Sequence, residues 1–172
     1  GYRQTLTGFK WIMQVPDLLF GYEEALGYAV DPSHTPDKDG ISAALVLLTI
    51  ADRLHQTGKT LLEHLSELKV RYAYRPSAQV SVRVESKAQV ALILDRLSQN
   101  PPSQIQGRSV SVTDLSKPTG DLPPTSGLKL NFENGDWVIL RPSGTEPKFK
   151  AYLETREDNL DAMKKAVFEL LG

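Results

Sequence analysis

The densest chemistry in this sequence is the segment Arg141-Pro142-Ser143-Gly144-Thr145-Glu146-Pro147-Lys148. It places a guanidinium, two hydroxyls, a glycine and an ammonium within eight residues. A phosphate group wants this donor set. Arg141 offers a planar, two-pronged donor. Ser143 and Thr145 add hydroxyls, Lys148 adds a point charge, and Gly144 lets backbone N–H groups approach an anion closely. Pro142 and Pro147 stiffen the segment. Its spacing is not that of a P-loop, G-x-x-x-x-G-K-[ST], and no helical pattern follows it. Ordinary strand connections with a surface ion pair use the same residue types, so residue types alone leave both readings open.

A second constellation is Gly21-Tyr22-Glu23-Glu24-Ala25-Leu26-Gly27-Tyr28. Carboxylates such as Glu23 and Glu24 accept hydrogen bonds from sugar hydroxyls, and tyrosine edges can pack beside a pyranose ring. An acid/base pair is a weaker reading, because adjacent side chains rarely aim at one atom. Thr7-Gly8-Phe9-Lys10 brings a hydroxyl and a glycine that can touch an anion. Asp37-Lys38-Asp39-Gly40 puts the Lys38 ammonium near a helix start, within reach of a phosphate. The acidic residues there do not make a calcium loop, since the twelfth position from Asp37 is Leu48 rather than Glu. His34, His55 and His64 lack metal-ligand spacing, and no metal site is expected.

The elements that must position these residues follow from periodicity. Phe9 to Met13 reads as a short strand, and 16–36 as a long irregular segment. Asp39 predicts an N-cap for a helix over 40–56. Leu45, Leu48 and Ala51 on one side, and Leu47, Ile50 and Leu54 on another, predict that this helix is sandwiched. Thr60 and Glu63 form a capping box for a second helix reaching about Leu68. Beyond residue 78 the grammar changes. Val80, Val82 and Val84 alternate. Ser86 and Gln89 read as another capping box, opening a helix that buries Val90, Ile93, Leu94 and Leu97. Val110 and Val112 mark a strand, 116–126 a loop, and Leu128, Leu130 and Phe132 a further strand. Asn134-Gly135 predicts a two-residue hairpin turn with both φ angles positive. Strands at 137–140 and 148–154 and a final helix bearing Leu160, Met163, Val167 and Leu170 complete the order β-α-β-β-β-β-α. A mostly antiparallel sheet with two helices on one face is the expected packing.

Composition narrows the function classes. The 172 residues carry 20 Lys+Arg against 21 Asp+Glu, a net charge of −1. That balance argues against nucleic-acid or membrane-surface binding by bulk charge. The outward strand residues Arg83, Glu85, Lys129 and Asn131 are mixed in sign, which also speaks against a nucleic-acid platform. Cysteine is absent, which removes disulfides and thiolate chemistry and suits a reducing cytoplasm. The longest near-apolar run, Ile41 to Ala51, is eleven residues, well short of the roughly 20 that a membrane span needs.

Taken in order, Thr7-Gly8-Phe9-Lys10, Gly21 to Tyr28, Lys38-Asp39-Gly40 and Arg141 to Lys148 resemble the carboxy-terminal part of the α-D-phosphohexomutases, the phosphoglucomutase/phosphomannomutase family. The resemblance implies a four-domain α/β enzyme of which this chain supplies the end of domain three and all of domain four. The expected division is 1–73 for sugar recognition, 74–78 as linker and 79–172 for phosphate binding. The fourth domain would be a small antiparallel sheet with two helices, similar to the TATA-box-binding-protein class. The resemblance assigns Glu23 to the carboxylate that grips sugar hydroxyls and Lys38 to a substrate-contacting lysine. It assigns Thr7 and Gly8 to a turn near the bound sugar phosphate, and Arg141, Ser143, Gly144 and Thr145 to the loop holding the non-transferring phosphate.

The implied reaction interconverts sugar 1- and 6-phosphates, or pentose 1- and 5-phosphates, through a phosphoserine and a bisphosphate intermediate that reorients. Magnesium and a sugar bisphosphate activator are the implied cofactors. The implied partners are a phosphosugar and the remaining domains of the same polypeptide, with no nucleic acid and no membrane. Two departures stand out. Ala25 sits where many members have a serine. No phosphoserine segment of Thr-Ala-Ser-His-Asn-Pro type and no Asp-Gly-Asp-Ala-Asp-Arg metal loop occurs in the sequence. The chain is thus expected to carry recognition groups and no catalytic or metal-binding residues, and to be inactive by itself. The rival expectation is a non-catalytic module using the antiparallel sheet for nucleic acid or a protein partner.

Overall fold

The computed structural model describes residues 1–118, 122–156 and 159–172. The chain divides into two units, Gly1–Ala73 and Tyr74–Gly172. Residues 119–121 of the expected 116–126 loop lie outside the described residues.

In the first unit, Phe9–Ile12 is a single helical turn, α1, and not the expected strand. Phe9 and Ile12 are three residues apart and both buried, so a helical turn puts them on one face. A strand would have turned them to opposite sides. They pack against the hairpin β1 (Gly21–Glu23) and β2 (Gly27–Ala29), two short strands inside the segment expected to be irregular. Its glycines are packing requirements. A Cβ on Gly21 would lie 2.7 Å from Ile12 Cγ2, and one on Gly27 would lie 2.5 Å from Phe9 Cε2.

Helix α2 (Gly40–Gln56) begins at Asp39, whose carboxylate accepts from the N–H groups of Ile41 and Ser42. Helix α3 (Leu61–Arg71) begins with the expected capping box, Thr60 and Glu63 each satisfying the other's backbone donor. The expectation that α2 is sandwiched is overturned within this unit, for none of its residues is buried. Ile41 is 78% exposed and Leu48 66%. The helix forms because its caps and propensity are local; covering its apolar faces needs other elements.

The second unit is a six-stranded antiparallel sheet in the order β3-β8-β7-β6-β5-β4. The strands are β3 (Ser77–Arg83), β4 (Gln104–Ile105), β5 (Arg108–Asp114), β6 (Leu128–Phe132), β7 (Trp137–Pro142) and β8 (Lys148–Glu154). Strict alternation sends Val82, Leu130, Leu140, Phe149 and Leu153 into one core. Helices α4 (Lys87–Gln99) and α5 (Leu160–Leu171) cover that face with Val90, Ile93 and Leu97, and with Met163, Val167 and Leu171. The opposite face carries no helix from this core. Ser86 caps α4 by accepting from the Gln89 N–H, while the Gln89 side chain reaches back to the N–H of Glu85 rather than of Ser86.

The hairpin expectation at Asn134-Gly135 is corrected. Phe132 and Asp136 face each other, so the loop has three residues, and only Gly135 takes a positive φ, 84°. The Asn134 side chain accepts from the Asp136 N–H. The Asp136 carboxylate meanwhile turns inward to Arg108 Nη1 at 2.7 Å and to the Arg156 N–H at 2.7 Å. A two-residue turn with both φ angles positive does occur, at Gln106-Gly107 between β4 and β5.

Candidate functional site

The segment 141–148 closes the β7–β8 hairpin. Arg141 and Pro142 end β7, and Lys148 begins β8. The loop is ordered from within. The Ser143 N–H donates to the Lys148 carbonyl at 2.9 Å, and the Lys148 N–H donates to the Glu146 carbonyl at 2.8 Å. The Ser143 hydroxyl oxygen accepts from the Glu146 N–H at 3.3 Å, which leaves the hydroxyl proton to donate elsewhere. Gly144 and Thr145 are exposed at the tip. Among the described residues their N–H groups meet no backbone acceptor. A Cβ on Gly144 would meet no atom within 4 Å, so open space lies over the backbone there.

The loop is also held from β3 and α4. Arg83 Nη2 lies 3.3 Å from Glu146 Oε1, and the Lys87 ammonium donates to the Gly144 carbonyl at 3.1 Å. The Val84 N–H donates to the Pro147 carbonyl at 3.0 Å. Lys148 forms an ion pair with Glu146. Hydrogen bonding and charge from Lys148, followed by charge from Arg83, hold the Glu146 carboxyl below its ordinary range. Arg83 and Lys87 were not among the expected site residues. Arg83 reaches the loop through the β3–β8 register, in which it stands opposite Lys148, and sequence spacing cannot reveal that register.

In the first unit, α1 is the hub. Gly8 precedes it with φ 113°, and Thr7 lies just before. The Lys38 ammonium sits 5.2 Å from the centre of the Phe9 ring. The same ring packs against Gly27, which stands opposite Glu23 in the hairpin and close to its side chain. Lys38 is placed by two bonds of its neighbour: the Asp39 N–H donates to the Tyr28 carbonyl at 2.8 Å, while the Asp39 side chain caps α2. The structure thus groups Glu23 and Lys38 around Phe9, with Thr7 and Gly8 leading into the same turn.

Glu23 and Glu24 do not act as a pair. Glu23 ends β1 on the side of α1, whereas Glu24 is exposed in the turn. Tyr22 and Tyr28 face each other on the outer side, with ring centres 5.4 Å apart. Burial first, then the neighbouring Tyr28 and Glu24, push the Tyr22 phenol up. Leu26 closes the turn with φ 59°.

Two shallow depressions of about 340 and 350 Å³ lie in the second unit, the second beside Arg83 and Val84. None of the ten expected site residues lines either, and the candidate site rests on the donors of the loop. Among the described residues, no group of three His, Asp or Glu side chains gathers as a metal ion requires. No described helix is long and apolar enough to cross a membrane.

On the open face of the sheet, the membership of the charged set differs from the sequence reading. Glu85 lies beyond the end of β3, but the register places Glu154 on the face with Arg83, Lys129, Arg141, Lys148 and Lys150, so the face is mixed in sign with cations in excess.

Comparison with known proteins bears on family and fold. Residues 2–72 match the family model "Phosphoglucomutase/phosphomannomutase, alpha/beta/alpha domain III", and residues 80–170 match "Phosphoglucomutase/phosphomannomutase, C-terminal domain". A probable phosphomannomutase of Haemophilus influenzae is 44% identical over 160 residues, covering 92% of this chain and 33% of the relative. A phosphoglucomutase of Staphylococcus aureus is 30% identical, covering 93% of this chain and 33% of the relative. The chain therefore spans about a third of the length of the curated relatives it matches. The crystal structure of pp63/parafusin, a phosphoglucomutase from Paramecium in its open form, shares the fold. Its TM-score is 0.62 at 21% identity, over 87% of this chain and 29% of that one. By both family models, the chain belongs to the phosphoglucomutase/phosphomannomutase family.

Proposed function

We propose that this chain is the sugar- and phosphate-recognition part of a phosphosugar mutase, with residues 1–73 contributing to sugar recognition, 79–172 binding phosphate and 74–78 joining them. The observation that carries the reading is the 143–147 loop. It is braced from three elements, and it leaves two N–H groups and a hydroxyl proton at an open surface beside Arg141. In this reading Arg141, Ser143, Gly144, Thr145 and Lys148 hold the substrate's non-transferring phosphate. Glu23, Glu24, Thr7, Gly8 and Lys38 meet the sugar side of the substrate.

The reaction of the whole enzyme passes a phosphoryl group from a serine to one sugar hydroxyl, giving a bisphosphate. After the sugar turns over, the other phosphoryl group returns to the serine. This chain contributes binding and orientation to both halves, and neither the serine nor a metal ligand. Sugar bisphosphate and magnesium enter with the rest of the enzyme, placed here in the cytoplasm. The exposed apolar faces of α2 support the presence of further covering elements in the parent, since patches of this kind are rarely left open to water.

Two measurements test the proposal. The chain alone, given magnesium, a bisphosphate activator and glucose, mannose or pentose 1-phosphate, should show no turnover; measurable turnover would sink the recognition-only role. In a full-length enzyme carrying this chain, Arg141→Ala should raise KM on the order of tenfold to a hundredfold, because a charge-assisted two-pronged bond is worth roughly 1.5–3 kcal/mol. An unchanged KM would remove Arg141 from the phosphate site. The rival reading draws on the same open face, where five cations and Glu154 accompany Trp137 and Tyr152. Salt-dependent binding of single-stranded RNA to the chain would favour it.

A further inference from the structure

Strand β3 lies at an edge of the six-stranded sheet, paired with β8 on one side and, among the described residues, with no strand on the other. Two backbone bonds just past its ends fix which groups face β8. The Pro76 carbonyl accepts from the Thr155 N–H, and the Val84 N–H donates to the Pro147 carbonyl. An antiparallel strand turns the backbone groups of successive residues to opposite sides. Ala78, Val80 and Val82 therefore bond to β8, while Ser77, Gln79, Ser81 and Arg83 turn their N–H and C=O groups outward. These four residues are exposed.

Folded proteins blunt such an edge with a proline, a bulge or inward-pointing charge. This edge has none of them. Its pairing with β8 runs unbroken from Ser77 opposite Glu154 to Arg83 opposite Lys148, and its one charge, Arg83, stands at the end. On the core side Val82 is buried, but Ala78 and Val80 are only half-buried. A strand laid along this edge satisfies the outward backbone groups and completes the burial of both.

We propose that the occupant is a second copy of this chain, the two β3 strands pairing antiparallel about a two-fold axis at Val80. The sequence is self-complementary in that register. Val80 faces Val80 of the second copy, Ala78 faces Val82, Gln79 faces Ser81, and Ser77 faces Arg83. Small and β-branched residues meet on the core side, and no like charges meet on the other. Just outside the strand, Arg75 of each copy comes level with Glu85 of the other. Glu85 is exposed, and Arg75 contacts Glu154 through one nitrogen, which leaves guanidinium donors to spare. A strand of unrelated sequence needs no such symmetry. Opposite charges equidistant from Val80 along the chain favour a copy of the same strand.

The test is sedimentation equilibrium of the 172-residue chain across the micromolar range, with hydrogen exchange resolved by residue. A reversible monomer–dimer equilibrium is expected. Exchange at the Gln79 and Ser81 amides should slow as concentration rises, while Val80 and Val82 stay protected throughout; this readout needs no variant. Gln79→Pro removes a donor that β8 does not use, so it should keep the second unit folded and abolish the dimer. Glu85→Arg sets two guanidinium groups together and should weaken the dimer about tenfold at low salt and less at high salt. Leu48→Glu, on the exposed face of α2, should leave the dimer intact. A monomer at every concentration would overturn the proposal. So would an association that persists in Gln79→Pro, that Leu48→Glu dissolves, or that leaves Gln79 and Ser81 exchanging freely. An affinity unmoved by Glu85→Arg would overturn the register about Val80.

Discussion

The ammonium of Lys87, in the first turn of α4, donates to the carbonyl of Gly144 at the tip of the β7–β8 loop, 3.1 Å away. A lysine is poorly placed for helix stability there, since the helix N-terminus favours negative charge. Its ammonium is spent instead on the loop. Lys87→Met is therefore expected to leave stability within about 0.5 kcal/mol, as for other surface changes, while amide exchange at 143–147 accelerates and phosphate binding weakens severalfold. Unchanged exchange in the loop would show that Lys87 does not brace it.

Glu146 occupies Lys148 and Arg83 at once. Glu146→Gln removes a negative charge beside the loop and releases both cations. Phosphate affinity should rise at low ionic strength, and the gain should shrink as salt is added, because the groups are solvent-accessible. Isothermal titration at two salt concentrations measures this. A loss of affinity at low salt would mean that the carboxylate's ordering of the loop outweighs its charge.

Gly27 has no room for a side chain. Its Cβ would lie 2.5 Å from Phe9 Cε2 and 2.6 Å from Glu23 Cγ. Gly27→Ala must displace one of them, at a cost of about 1–3 kcal/mol for overpacking. Phe9 also carries Lys38 above its ring. The substitution should lower the melting temperature of the first unit and shift the amide resonances of Lys38 and Glu23 together. A shift confined to the hairpin would break the proposed link between the two.

Asp136 has a fully buried side chain that accepts from Arg108 and from the Arg156 N–H. Burial works against its charge. Hydrogen bonds from Arg156, Asn134, Arg108 and Asn159 outweigh it and hold the carboxyl below its ordinary value. A carboxyl depressed in the folded state contributes stability that is complete above its unfolded pKa, about 3.9. That contribution is lost as the pH falls through the folded value. Asp136→Ala strands a partly buried guanidinium and should cost on the order of 3 kcal/mol, read from hydrogen exchange of the β6 and β7 amides. Asp136→Asn should flatten the pH dependence of that exchange below about pH 4. A variant as acid-sensitive as the wild type would assign the effect to other carboxyls.

Several elements were legible in the sequence because their causes lie within a few residues. Asp39, Thr60 and Glu63 mark helix starts by satisfying backbone donors three positions away or fewer. Leu128, Leu130 and Phe132 declare a strand by alternation alone. The loop 141–148 announces its donors in one continuous string, and its family resemblance agrees with both family models.

Other features depend on what lies across the fold. Phe9-Lys10-Trp11-Ile12-Met13 alternates well enough for a strand, and packing on the 21–29 hairpin makes it a helical turn by placing Phe9 and Ile12 on one side. Asn134-Gly135 suits a two-residue turn, and the need to bury Asp136 against Arg108 draws it into a three-residue loop.

Residue identities and short-range spacing already say which residues carry donors and charge, and where the capped helices start. The tertiary structure decided which of those residues meet. Arg83 reaches Glu146, Lys87 reaches Gly144 and Lys150 faces Arg141 only because strands β3, β8 and β7 pair in one register. Register is set by burying every second side chain of each strand on the shared core, and a slip of one residue would turn the strand cations Arg83 and Lys150 to the opposite face.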